Sequence, residues 1–250
     1  MAHRSNRRRR RRRGRFSGLY KLLSVLLILA ALVAGCLVFF RVDRVVISGN
    51  RRYTEQEIEQ VTGVNRGDNL VALNKNVISQ RILKELPYVV AVGINRGLPD
   101  SLIITVTECE ATAYIRANGT LWLMNSESKL LEQTGDSALT EIRGIAALQP
   151  SAGSRLEAGQ EEAYKLRDLK ALMGALEEKG LLSATVFIDL SSNTRIELDY
   201  EGRLTVYLPY ASDYDYDAKA LRAAIDYLEP GEESVVDLTF EDGPHLYPRS

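Results

Sequence analysis

The chain has 250 residues, a formal net charge of −1, two cysteines and two histidines. The neutral total hides a split: nine arginines and no acid occupy residues 1–18, whereas residues 41–250 carry 22 basic against 33 acidic side chains, net −11. So acidic a portion has no electrostatic reason to bind nucleic acid or anionic lipid, and its lone cysteine, Cys109, excludes an internal disulfide, leaving stability to a hydrophobic core.

Arg4, Arg7 to Arg13 and Arg15 precede an apolar run, Leu19–Phe40, of 22 residues. As a helix it spans roughly 33 Å, enough for a hydrocarbon core of about 30 Å. Lys21 is its only charge, close enough to the basic edge to snorkel. The positive-inside rule then predicts a cytoplasmic arm (1–18), a transmembrane helix (19–40) and an extracytoplasmic remainder. Val33-Ala34-Gly35-Cys36 also matches the lipobox cut by lipoprotein signal peptidase. A mature lipoprotein turns polar after that cysteine, whereas this chain continues with Leu37-Val38-Phe39-Phe40. An uncut span is therefore the reading, with a lipid anchor at Cys36 as the alternative.

Beyond the membrane the first strand is Arg44-Val45-Val46-Ile47-Ser48, closed by the turn pair Gly49-Asn50. Thr54 and Glu57 then form a capping box, with Tyr53 and Ile58 placed as a hydrophobic staple and Gly63 as the stop. A second helix starts near Asn74 or Asn76, carries Ile78, Ile82 and Leu86 at four-residue spacing, and ends at Pro87. Strands Tyr88–Asn95 and Leu102–Thr107 follow as a hairpin, because Gly97 and Pro99 interrupt any ladder between them. Short strands are expected at Tyr114–Arg116, Leu121–Met124 and Lys129–Glu132. A helix over Glu161–Lys179 has the stripe Leu169, Leu172, Met173 and Leu176. Strands near Val186–Leu190, Thr194–Tyr200 and Arg203–Leu208 lead to a helix over Asp217–Leu228 and a closing strand over Val235–Phe240. Residues 241–250 read as a mobile tail.

The runs Val45–Thr54 with Glu57-Ile58, Leu86-Pro87-Tyr88-Val89 and Leu98–Glu108 resemble a POTRA (polypeptide-transport-associated) domain. A POTRA domain just outside a single N-terminal span is similar to the bacterial cell-division family FtsQ/DivIB, and the later elements resemble that family's second, β-rich domain. The fold class implied is α+β: one transmembrane helix, a POTRA domain of order β-α-α-β-β over 41–110, and a mixed α/β domain rich in antiparallel strands over 111–240. One departure is Leu208-Pro209-Tyr210, where the family carries a glycine.

Catalytic chemistry has no visible seat. Of the two histidines, His3 lies in the arm and His245 in the tail, so no external Ser-His-Asp or Cys-His set forms without a tail residue. One external cysteine and one external histidine cannot build the usual zinc sets, and no phosphate-cradling glycine loop occurs. Asp213-Tyr214-Asp215-Tyr216-Asp217 begins like a calcium loop but has Ala218 where glycine is needed and Ala224 at the twelfth position, so its aspartates read as helix caps. Neither a cofactor, a metal nor a small-molecule substrate is expected, and the protein is read as a non-enzyme.

The resemblance implies a divisome scaffold at the division septum that joins small coiled-coil proteins of the DivIC/FtsB and FtsL type to septal peptidoglycan synthesis. The contacting segment it implies is Val236–Gly243, with an aromatic contact at Phe240, a small polar one at Asp242, and another aromatic at Tyr247 or its neighbour Pro248. Val236, Leu238 and Phe240 alternate on one face, so Phe240 is either core or contact. A partner could also complete the backbone edge of the terminal strand. The alternative function is a lipid-anchored, POTRA-like extracytoplasmic adaptor.

Overall fold

The computed structural model describes residues 16–240 and 243–249. The arginine arm before Phe16 lies outside them. Helix α1, Phe16–Phe39, has 24 residues, roughly 36 Å, and its apolar stretch within Gly18–Cys36 is unburied by the rest of the described chain. By length and composition it can cross a membrane.

The next elements are β1 (Arg44–Ser48), α2 (Glu55–Thr62), α3 (Lys75–Glu85), β2 (Val89–Gly97) and β3 (Ser101–Glu108), with the three strands in the order β1-β3-β2. The caps read from sequence are formed. Thr54 Oγ1 accepts the Glu57 N–H at 3.2 Å, and the Glu57 carboxylate accepts the Thr54 N–H at 2.8 Å. Gly63 ends α2 at φ +64, and a Cβ there would strike the Arg81 guanidinium, which donates to the Thr62 carbonyl at 2.9 Å. Glycine thus serves twice, taking a left-handed conformation and leaving room for the arginine that satisfies the helix end.

A nine-stranded mixed sheet follows, built from β4 (Ala113–Ala117), β5 (Thr120–Met124), β6 (Leu130–Thr134), β7 (Thr140–Arg143), β8 (Thr185–Asp189), β9 (Arg195–Tyr200), β10 (Leu204–Pro209), β11 (Ser234–Asp237) and β12 (His245–Pro248). Its order is β12-β11-β10-β9-β8-β7-β4-β5-β6. Helices α4 (Ala163–Glu178) and α5 (Tyr214–Tyr227) supply Leu169, Leu172, Met173, Leu176, Leu221 and Ala224 to one continuous core with the strand residues Ile188, Leu198, Val206 and Val236.

Three elements differ from the sequence reading. Strand β7 was not foreseen; it pairs in parallel with β4 on one side and β8 on the other, partners remote along the chain. Helix α5 starts at Tyr214 rather than Asp217, because Asp213 caps it by accepting the Tyr216 N–H at 3.2 Å. The tail expected to be mobile contains β12, which pairs antiparallel with β11, so His245 sits in a strand.

Contacts group the chain into two compact units. One holds α1 with residues 41–46, Val64–Asn74 and Ile94–Ile103; the other holds Ile47–Gly63, Lys75–Gly93 and Ile104–Ser250.

Candidate functional site

The end of the second unit is shaped by strand pairing. β11 is bonded on both sides, in parallel to β10 (Val206↔Val236) and antiparallel to β12 (Val236↔Leu246). Among the described residues β12 has no neighbour on its outer side, so the free edge at this end of the sheet belongs to β12 and not to β11. This corrects the expectation that the Val235–Phe240 strand would be the open edge.

Register says which groups that edge offers. Arg249 N–H donates to the Glu233 carbonyl at 3.4 Å, which makes 233/249 a hydrogen-bonded pair and, by alternation, 235/247 and 237/245 as well. Leu246 and Pro248 therefore turn their backbone groups outward. Leu246 presents one N–H and one C=O; Pro248 has no N–H to present, the placement proline tolerates in a sheet. The end of β12 is pinned by Arg249, whose guanidinium donates to the Gly202 carbonyl at 2.9 Å and lies 3.8 Å from the Asp199 carboxylate.

Beside this edge lies an aromatic row. Phe240 and His245 rings stand 4.4 Å apart and His245 and Tyr247 stack at 6.3 Å. Phe240 is 46% exposed and Tyr247 42%, while Val236 and Leu238 are buried in the core. The alternation that left Phe240 between two roles thus ends at Leu238, where the Leu238 N–H still bonds Tyr207 C=O at 2.9 Å. Asp242 lies outside the described residues. Of the five residues singled out from sequence, Phe240 and Tyr247 share an exposed patch, and Val236 and Leu238 build the strand beneath it. His245 and Leu246 were missed; the period-two run His245-Leu246-Tyr247 was the available signal.

A second constellation had no sequence signal at all. A cleft of about 660 Å³ is lined by Gly49, Arg51, Arg52, Tyr88, Glu108 and Glu132, among others. The Glu108 carboxylate accepts the N–H groups of Arg51, Arg52 and Tyr53 at 2.9, 2.7 and 3.2 Å, an anion in a backbone nest. Glu132 Oε1 accepts the Tyr88 hydroxyl at 2.6 Å and the Arg52 guanidinium at 3.0 Å, and that guanidinium lies 3.7 Å over the Tyr88 ring. Burial first, then the Glu132 carboxylate, pushes the Tyr88 hydroxyl well above the ordinary tyrosine range, so it remains a donor. Gly49 closes the cleft at φ +86, where a Cβ would collide with the Val106 carbonyl oxygen. Arg52, Glu108 and Glu132 are engaged in holding backbone or a neighbour, whereas the Arg51 guanidinium and the Glu110 carboxylate have no partner among the described residues. Cys109 nearby is half-buried, and burial raises its thiol pKa, the opposite of what a nucleophile needs.

Two of the three carboxylates of the 213–217 run are committed as well. Asp213 caps α5, and Asp215 pairs with Lys179 at 2.9 Å and Lys219 at 2.5 Å.

An apolar N-terminal helix, a small β-α-α-β-β module and a strand-rich domain ending in an open edge describe a membrane-anchored protein with a POTRA-type module. Residues 40–108 match the FtsQ-type POTRA domain model. The cell-division protein DivIB of Clostridium botulinum (strain Hall) is 26% identical over 233 residues, 88% of this chain and 87% of that one. FtsQ of Corynebacterium glutamicum is 27% identical over 121 residues, 48% of this chain and 54% of that one. The solved extracytoplasmic domain of DivIB from Geobacillus stearothermophilus aligns with 50% of this chain and 99% of its own at 16% identity, with a TM-score of 0.30. Residues 40–108 thus form an FtsQ-type POTRA domain, and the chain is similar to the cell-division proteins DivIB and FtsQ.

Proposed function

We propose that this protein is a single-pass scaffold of the divisome, with its arginine arm in the cytoplasm and its POTRA and β domains (41–110 and 111–240) outside. The β12 edge takes an added strand from a small coiled-coil division protein of the DivIC/FtsB or FtsL type, and so couples that partner to septal peptidoglycan synthesis. The observation that carries this reading is an open strand edge beside three exposed or part-exposed aromatic rings. A strand added there gains backbone bonds to Leu246 and the Pro248 carbonyl, while Phe240 and Tyr247 supply flat apolar area at small entropic cost. Extending the β domain's last strand by β12 gives the tail a role rather than leaving it a mobile end.

Leu246→Pro is the sharpest test. It removes the outward N–H and puts a ring in the path of an incoming strand, yet spares the bonds β12 makes to β11 through residues 245 and 247. One lost backbone bond contributes about 1 kcal/mol, so co-purification of the DivIC-type partner with the full-length chain should fall at least about fivefold. Unchanged recovery of the partner with an unchanged melting temperature would refute strand addition at β12.

A further inference from the structure

We propose that the Val64–Asn74 loop and the turn between β2 and β3 form a collar that docks on anionic phospholipid headgroups of the leaflet from which the chain emerges. This rests on the reading that α1 spans the membrane.

Both segments are tied by hydrogen bonds to the stretch that leaves α1. Leu70 N–H donates to the Phe40 carbonyl at 3.0 Å, Val42 N–H to Asp68 at 2.9 Å, and Gly67 N–H to Val42 at 2.8 Å. Asn69 Nδ2 reaches the Cys36 carbonyl at 3.5 Å, about one helical turn inside the end of α1. From the other side, Asp43 N–H donates to the Asp100 carbonyl at 2.8 Å. If the last turn of α1 stands at the lipid boundary, residues bonded to it lie in the headgroup layer, which is roughly 5–8 Å thick on each side. No flexible linker separates this unit from the membrane.

What it exposes suits that layer. Val71 is 51% and Leu98 64% exposed, two apolar tips on separate loops. Arg41 and Arg66, in the same unit, are exposed too. The loop is held firmly: Arg96 donates from Nε to the Leu70 carbonyl at 2.7 Å and from one terminal nitrogen to the Val71 and Leu73 carbonyls at 2.9 and 2.8 Å. Such a fork preorganises Val71, so little entropy is lost when it enters lipid.

Charge separates this unit from the rest. Its segments 41–46, 64–74 and 94–103 hold four arginines against the three aspartates Asp43, Asp68 and Asp100, net +1, whereas the remaining residues beyond 40 hold 18 basic against 30 acidic side chains, net −12. The sum over the whole external portion excludes anionic lipid; the distribution restores it for this one unit. Asp68 is turned to its own loop, accepting the Asn65 N–H at 2.8 Å, Asp100 lies 3.7 Å from Arg44, and Arg96 is taken up by carbonyls, which leaves Arg41 and Arg66 the arginines whose guanidinium has no partner among the described residues of this unit.

The test uses the full chain with Cys36→Ala and Cys109→Ser, and single spin-labelled cysteines at Val71, Leu98, Leu29 or Val186, in nanodiscs of phosphatidylcholine with and without roughly one-third phosphatidylglycerol. The labels at 71 and 98 should be accessible to oxygen and shielded from a water-soluble nickel reagent, the label at 29 more so, and the label at 186 fully open to nickel. Arg41→Gln and Arg66→Gln should each lower the docked-to-free ratio about fivefold, only where phosphatidylglycerol is present. Labels at 71 and 98 as open to nickel as the one at 186, with 29 shielded, would overturn the collar and leave the span standing. A label at 29 open to nickel would overturn both, and equal docking in the two lipids would overturn the choice of anionic headgroups.

Discussion

Truncating Glu132 to alanine removes the one acceptor shared by the Tyr88 hydroxyl and the Arg52 guanidinium. The two bonds differ in worth. Tyr88 is 5% exposed, so its hydroxyl has little water to fall back on, and a bond from it to a carboxylate is worth about 1.5–3 kcal/mol. Glu132 itself is 47% exposed, which moderates that to about 1–2 kcal/mol. The Arg52 pair is 51% and 47% exposed and contributes less than about 1 kcal/mol. Double-mutant cycles separate them: Glu132→Ala with Tyr88→Phe, and Glu132→Ala with Arg52→Ala. Urea unfolding of the full-length chain in detergent can be followed by Trp122, the only tryptophan, which is buried in β5 opposite Gln133 of β6, next to Glu132. The Tyr88 coupling should be the larger, should survive about 1 M salt and should persist to pH 9, since the hydroxyl titrates well above its ordinary range. The Arg52 coupling should fade in salt. A Tyr88 coupling below about 0.5 kcal/mol, or one that salt abolishes, would refute the assignment of the buried hydroxyl as the main holder of Glu132.

Other expectations follow from backbone geometry and from buried charge. At Gly144, φ is +78 and a Cβ would fall on the backbone of Leu190 and Ser191, so Gly144→Ala should cost more than about 3 kcal/mol and yield little folded protein. Gly202 has φ +71 but open space around it, and Gly202→Ala should cost only about 1 kcal/mol in the same melt; equal losses would show that conformation alone sets both. Asp217 is 4% exposed with Oδ2 unpartnered among the described residues, and burial raises its pKa above the ordinary value of about 3.9. The folded chain therefore holds more protons than the unfolded one between those two values, and stability falls as pH rises through the raised pKa. Asp217→Asn should raise the melting temperature at pH 7 by an amount equivalent to about 1 kcal/mol and flatten that acid slope; a lower melting temperature at pH 7 would contradict it.

Particular residues show how far the chain could be read in advance. The capping box at Thr54 and Glu57, the stop at Gly63 and the stripe Leu169, Leu172, Met173 and Leu176 are local chemistry, and all are formed as read. β7 was invisible because Thr140-Glu141-Ile142-Arg143 is four residues of mixed polarity whose partners, β4 and β8, lie far away along the chain. The partner-facing residues divided the same way. Phe240 and Tyr247 could be named from family motifs, but nothing local said that Leu238 closes the core and Phe240 leaves it. Arg52, Tyr88 and Glu132 are separated by up to 80 positions, and no periodicity links them.

By itself the sequence determined whatever depends on a few adjacent side chains or on bulk transfer between phases: an apolar helix long enough for a bilayer, the caps and stripes of α2 to α4, and the acidic balance beyond residue 40. Tertiary structure alone decided which strand ends the sheet, which aromatic rings stay in solvent, and which arginines close to the end of α1 are left without a side-chain partner among the described residues. The physical reason is range. Capping and amphipathicity are settled within a turn or two of chain, whereas an edge exists only once every other strand has found its neighbour.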